Sequence, residues 1–153
     1  MSQAFDHSDD LLSQASSLLS GENDPIANAA NLSALIFQSL EGLNWAGFYF
    51  LKEGELVVGP FQGKPACVRI PLGRGVCGRA AETRQVLRVF DVDAFDDHIV
   101  CDAESRSEIV LPLVKGSALI GVLDLDSPET GRFSEDDEVM LKALAEIYVN
   151  SLE

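Results

Sequence analysis

Hydrophobic spacing divides the chain into a helical start, a strand-rich middle and a helical end. Leu11, Leu12, Ala15, Leu18 and Leu19 recur at helical intervals, which predicts a first helix over residues 6–20 with Gly21 as its stop. Asp24 followed by Pro25 has the chemistry of an N-cap and first turn. Ala29, Leu32, Leu35, Ile36 and Leu40 then carry a second helix to about Leu40. From Asn44 the period shortens. W-A-G-F-Y-F-L is aromatic and brief, which favours a strand. A turn at Lys52, Glu53 and Gly54 leads into the returning strand E-L-V-V-G-P-F. A-C-V-R-I-P-L reads as a third strand, with Ala66, Val68 and Ile70 on one face and Cys67 and Arg69 on the other.

The glycines of G-R-G-V-C-G-R-A allow a tight entry into a short helix ending near Thr83. V-L-R-V-F is a further strand, and E-I-V-L-P-L-V and A-L-I-G-V-L-D-L-D-S form a hairpin about Lys115, Gly116 and Ser117. The closing helix starts at Ser134, where Asp137 stands in for the usual Glu or Gln of a capping box. Its predicted buried stripe is Val139, Met140, Ala143, Leu144 and Ile147. Hairpins dominate and helices collect at the two ends. That pattern predicts an α+β fold, a mostly antiparallel central sheet with helices packed against it. With no repeat, low-complexity segment or linker, residues 1–153 read as a single domain.

One stretch breaks the alternation. Residues 91–108, D-V-D-A-F-D-D-H-I-V-C-D-A-E-S-R-S-E, are long, polar and acidic, and such loops are often binding loops or lids. Cys101 lies near the middle, with His98 three residues before it. Free cysteine is usually buried as a small hydrophobe, so a thiol on a polar loop points to a reactive group. The acids around it oppose thiolate formation, and only Arg106, His98 or backbone N–H groups stand ready to offset them.

Two further groups carry candidate chemistry. In V-L-D-L-D-S, period 2 puts Asp124 and Asp126 on one face and Leu123 and Leu125 on the other, and Glu108 opens the neighbouring strand. Facing carboxylates repel, and burial adds to that, so one carboxyl is pushed toward its protonated form. Such a cluster suits a cation or a general acid; the alternative is a solvated acidic face. Trp45 and Tyr49 also share a face, with Gly47 between them as an open slot. Aromatic walls beside carboxylates suit a small cationic or zwitterionic ligand, although such aromatics are often plain core.

The formal net charge of -14 argues against nucleic acid and anionic membranes as partners. No signal peptide or spanning segment is apparent, so a cytoplasmic location is expected. There, three cysteines, Cys67, Cys77 and Cys101, argue against a structural disulfide framework. They leave inert burial, zinc held with His98, or redox catalysis at Cys101 with Cys67 or Cys77 closing a disulfide behind it. No C-x-x-C spacing supports zinc, and no metal is expected.

N-W-A-G-F-Y (44–49), G-P-F-Q-G (59–63), G-R-G-V-C-G (73–78), H-I-x-C-D (98–102), S-E-I-V-L-P (107–112) and G-V-L-D-L-D-S (121–127) together resemble the free methionine-(R)-sulfoxide reductases, which are GAF-type domains. The resemblance covers nearly the whole chain. It implies Cys101 as nucleophile, Cys67 as main resolving cysteine and Cys77 as a third cysteine of less defined role. It implies that Glu108, Asp124 and Asp126 engage the sulfoxide oxygen and ammonium group, and that Trp45 and Tyr49 wall the methyl end. The implied cycle needs no bound cofactor: Cys101 becomes a sulfenic acid, a disulfide follows, and thioredoxin with NADPH resets it. A homodimer is left open. The rival reading is a non-catalytic GAF ligand sensor, which uses the same pocket without a reactive thiol.

Overall fold

Alternation along the strands gives the sheet two faces of different character. The structure, a computed structural model, describes the backbone of residues 2–153 and the side chains from residue 8 onward. Helices α1 (Ser2–Leu19) and α2 (Pro25–Ser39) lead into strands β1 (Trp45–Lys52), β2 (Glu55–Gly63) and β3 (Arg69–Pro71). Helix α3 (Gly75–Thr83), strands β4 (Leu87–Val89), β5 (Ser107–Lys115) and β6 (Ala118–Ser127), and helix α4 (Glu135–Ser151) follow. The strands pair antiparallel throughout in the order β3-β2-β1-β6-β5-β4. The α+β fold with an antiparallel sheet is therefore as the pattern predicts.

On the first face, Ala46, Phe48 and Phe50 of β1, Ile109, Leu111 and Leu113 of β5, and Leu123 and Leu125 of β6 meet α1, α2 and α4. Their period of two is the pleat itself. Tyr148 of α4 anchors this layer: its ring lies 4.7 Å from that of Phe48, and its hydroxyl donates to the Pro25 carbonyl at 2.9 Å. The second face carries the intervening residues, Trp45 and Tyr49 of β1, Val110 of β5 and Val122 of β6, and is covered by α3. Glu108, Asp124 and Asp126 alternate with the core leucines on β5 and β6, so they belong to this second face.

The caps follow their chemistry. Asp24 accepts from the Ile26 and Ala27 amides at the start of α2. Ser134 and Asp137 complete the reciprocal capping box of α4, so aspartate serves where the longer acids are usual.

Four expectations need correction. The third strand is only Arg69–Pro71, and Val68 is exposed rather than buried with Ile70, because the regular pleat starts at Arg69, although the Val68 carbonyl still accepts from the Val58 amide of β2 at 2.9 Å. The α4 stripe is turned: Val139 is 68% exposed, Ala143 and Ile147 are half-buried, and Leu141, Ala145, Tyr148 and Val149 are buried beside Met140 and Leu144. The Tyr148 anchor sets that rotation. Leu18 is exposed although Leu11, Ala15 and Leu19 are buried. Finally, residues 91–106 are not featureless: Val92–Ala94 form a short 3-10 turn, capped where the Asp91 side chain accepts from the Asp93 amide, and Val92 is buried.

The rotated stripe is testable by urea unfolding. Leu144→Ala should cost about 2–5 kcal/mol, as large-to-small core changes do. Val139→Ala should stay within about 0.5 kcal/mol, as surface changes do.

Candidate active site

A pocket opens on the second face of the sheet, between α3, the 91–106 loop and the segment before β3. Trp45, Tyr49, Ala66, Ile70, Cys77, His98, Cys101, Glu108, Asp124 and Asp126 are among the residues lining it. Of the eight residues given roles by the resemblance, seven line it and Cys67 is joined to it through Cys101.

At its mouth, Cys67 and Cys101 are joined by a disulfide, with Cα atoms 5.3 Å apart. Both are half-buried. The Cys67 side is held from below, because the Tyr49 hydroxyl donates to the Cys67 carbonyl at 3.2 Å. Trp45 Nε1 likewise donates to the Lys64 carbonyl at 3.2 Å. The Cys101 side hangs on Asn44, whose Nδ2 donates to Asp102 Oδ2 and Ser105 Oγ, both at 3.0 Å. Asp97 ties the loop to the start of α3, accepting from Arg74 Nε at 2.8 Å and the Gly75 amide at 3.3 Å. A side chain at Gly75 would press on Ile99 of the loop, which is a packing reason for glycine there.

The closed end is acidic. Glu108 pairs across the hairpin with Asp126, and Asp124 sits one pleat further along β6. Glu108 and Asp124 are 7% and 4% exposed, and Asp126 is half-buried. Cys77 of α3 is also buried, its Sγ 3.8 Å from Glu108 Oε2. Burial raises the pKa values of all three carboxyls, and their mutual repulsion adds to it. Asp124 is pushed from 3.8 up to about 8, by burial first and then by the Asp126 charge. Burial and the same acids push the Cys77 thiol up as well. A proton held between facing carboxyls supplies the hydrogen bond that two carboxylates cannot make. With all of them ionised, Asp124 Oδ1 is buried with no donor.

Three details differ from the sequence reading. The Gly47 slot is not open: Phe61 of β2 fills the place a side chain would take, and its ring stacks on Trp45 at 5.1 Å between centroids. Trp45 and Tyr49 still stack on each other, at 5.7 Å, and both face the pocket. Neither side chain expected to favour a Cys101 thiolate is poised to do so. Arg106 pairs with Asp93 at 2.9 Å, and partial burial lowers the pKa of His98, favouring its neutral form. The zinc set of Cys67, Cys77, Cys101 and His98 is not assembled either, since Cys67 and Cys101 are bonded to each other. Asn44 was missed as a support of the loop. Its position just ahead of W-A-G-F-Y was visible, but its bonds span 58 and 61 residues and no local pattern predicts them.

The GAF domain family matches residues 25–152. The chain is 56% identical over 135 residues to the free methionine-R-sulfoxide reductase of Escherichia coli (strain K12), covering 88% of this chain and 82% of that one. The chain belongs to the GAF-domain family of free methionine-R-sulfoxide reductases. It is also 56% identical over 144 residues to protein YtsP of Bacillus subtilis (strain 168), covering 93% and 88% of the two chains. Among solved structures it is similar to fRMsr of Staphylococcus aureus in complex with substrate, with a TM-score of 0.92, 47% identity and 95% of each chain covered.

The acid cluster leaves a mark on stability. An acid that holds its proton more tightly when folded loses stability as pH rises between its unfolded and folded values. For Asp124 that window runs from 3.8 to about 8. Asp124→Asn removes the penalty, so relative to the parent it should gain about 1 kcal/mol or more between pH 4 and pH 8 in urea unfolding. A stability difference that stays flat across that range would contradict the shift.

Proposed function

We propose that this protein reduces free methionine-(R)-sulfoxide to methionine, with Cys101 as nucleophile and Cys67 as resolving cysteine. The observation that carries the proposal is a disulfide across the mouth of a pocket whose closed end holds a cluster of buried carboxyls. The family relationship supports the substrate class.

The chemistry follows from the parts. A sulfoxide is a weak electrophile until its oxygen accepts a proton or a strong hydrogen bond. Asp124, near 8, keeps its proton at neutral pH and can donate it. Glu108 and Asp126 supply negative charge for the α-ammonium once the substrate lends its own positive charge to the cluster. Val76 and Cys77, at the first turn of α3, line the pocket and offer amides to the α-carboxylate, while the Gly75 amide is held by Asp97. Trp45 and Tyr49 wall the methyl end.

Cys101 attacks the sulfoxide sulfur. Oxygen passes to the cysteine, the substrate sulfur gains two electrons, and Cys101 becomes a sulfenic acid as methionine leaves. The Cys67 thiol then attacks Cys101: an S–S bond forms, the S–O bond breaks, and water departs. An external dithiol returns two electrons and two protons by thiol–disulfide exchange. We assign that role to thioredoxin, itself reduced with NADPH, and place the cycle in the reducing cytoplasm, with residues 1–153 acting as one unit and no bound cofactor. Among the described residues no helix is long and apolar enough to cross a membrane. Cys77 is assigned no electron transfer, because it is buried and its thiol is pushed up.

The test is thioredoxin-coupled NADPH oxidation with free methionine-(R)-sulfoxide, beside the S epimer and a peptide-bound sulfoxide. Turnover is expected on the free R form alone and should vanish in Cys101→Ser. Cys67→Ser should release one methionine per chain and then stall. Equal steady-state rates for Cys67→Ser and the parent would remove Cys67 from the cycle. No turnover on any of the three substrates would favour a ligand sensor.

A further inference from the structure

The proposed cycle leaves one buried group unused. Cys77 Sγ, a Glu108 carboxylate oxygen and an Asp124 carboxylate oxygen all lie within 4.8 Å of one another. They come from three elements, α3, β5 and β6, and all three residues are buried. Asp124 Oδ1, in a residue 4% exposed, has no hydrogen-bond donor. The one arginine lining the pocket, Arg74, is committed to Asp97. The cluster therefore has donors for a cation and no cation of its own.

We propose that Cys77, Glu108 and Asp124 form a binding site for a divalent transition metal, Zn²⁺ being the ion that their donor set suits. Around tetrahedral zinc, with Zn–S about 2.3 Å and Zn–O about 2.0 Å, donor atoms stand about 3.3–3.5 Å apart. The Sγ–Oε2 separation is already 3.8 Å, and no pair exceeds 4.8 Å, so small side-chain rotations complete three corners. Asp126, facing Glu108 across the hairpin, or a water takes the fourth. The thiolate selects the metal: Mg²⁺ and Ca²⁺ prefer all-oxygen sites, while zinc accepts sulfur with carboxylate. Binding releases the Cys77 proton, and with it the protons that Asp124 and Glu108 hold, to solvent, and no electron moves. The site differs from the zinc set considered from sequence, since it needs neither Cys67 nor Cys101. A metal there fills the space given above to the substrate's ammonium group, a consequence that rests on the proposed function; the site itself does not.

The experiment uses the full chain in its disulfide form, where Cys77 is the only thiol, and titrates it with Co²⁺ as a spectroscopic stand-in for zinc. A thiolate-to-cobalt charge-transfer band in the near ultraviolet is expected, saturating at one equivalent and abolished by added Zn²⁺. Cys77→Ser should lose the band, and Glu108→Gln should weaken cobalt binding at least tenfold, with both folds checked by circular dichroism. No band in the parent overturns the site, as does a band that survives in Cys77→Ser or an affinity unchanged in Glu108→Gln. No turnover enters the readout, so a chain inactive on sulfoxides still decides the question.

Discussion

Three carboxyls and a thiol gathered on one face of a sheet, without a cation among them, set the conditions for everything else in the site. Removing an ionised carboxylate from water costs several kcal/mol unless it is paired. Burial instead biases the cluster toward its protonated forms, the direction in which Glu108, Asp124 and Asp126 are all shifted. Such an arrangement persists only where the surrounding fold is over-determined. The hairpin of β5 and β6 provides that support. Its other face buries Ile109, Leu111, Leu113, Leu123 and Leu125 against the helices. The same backbone thus carries a strongly apolar face and a destabilising acidic one, in alternate residues.

The opposite end of the pocket is organised by two parallel links between the same two segments. Lys64 meets Glu104 at 2.9 Å, and Cys67 is bonded to Cys101, so the segments run past each other in a matched register. The ion pair is open to solvent on both sides and contributes little. The covalent link dominates while it lasts. When it is cut, the loop keeps its noncovalent supports, the Asn44 bonds and the Asp97 bonds to Arg74 and Gly75. None of these bonds uses a cysteine side chain.

Much of this was legible in the chain. D-L-D between leucines can only place two acids on one strand face, and the capping chemistry of Asp24 and Ser134 fixed two helix starts. What local pattern could not reach were the long-range contacts. Val139 fits a helical stripe as well as Leu141 does, and it is the Tyr148 ring on Phe48 that decides which row faces inward. Val68 alternates correctly for a strand, yet the regular pairing starts only at Arg69 and its side chain is exposed. Gly47 reads as a gap between aromatics until β2 brings Phe61 into it. The pairing of Cys67 with Cys101 came from family resemblance, because three cysteines admit three pairings and spacing chooses none.

The apparent conflict in the sequence, a reactive thiol set among acids, has a physical resolution. Acids suppress a thiolate only while they are charged. The buried acids sit at the closed end, where their fields fall on Cys77. Asp124, pushed up to about 8, is largely neutral at pH 7 and adds little charge against a thiolate at the mouth. Three exposed acids of the loop are separately committed, Asp93 to Arg106, Asp97 to Arg74 and Glu104 to Lys64. Separation of a protonated acid cluster from a half-buried thiol lets one pocket hold a proton donor and a nucleophile together. It also sorts the three cysteines by environment: two within reach of a partner at the mouth, and one kept as a neutral thiol against carboxyls. Placing a cation at Cys77 would reverse that sorting, since a metal stabilises the thiolate that burial and the acids oppose.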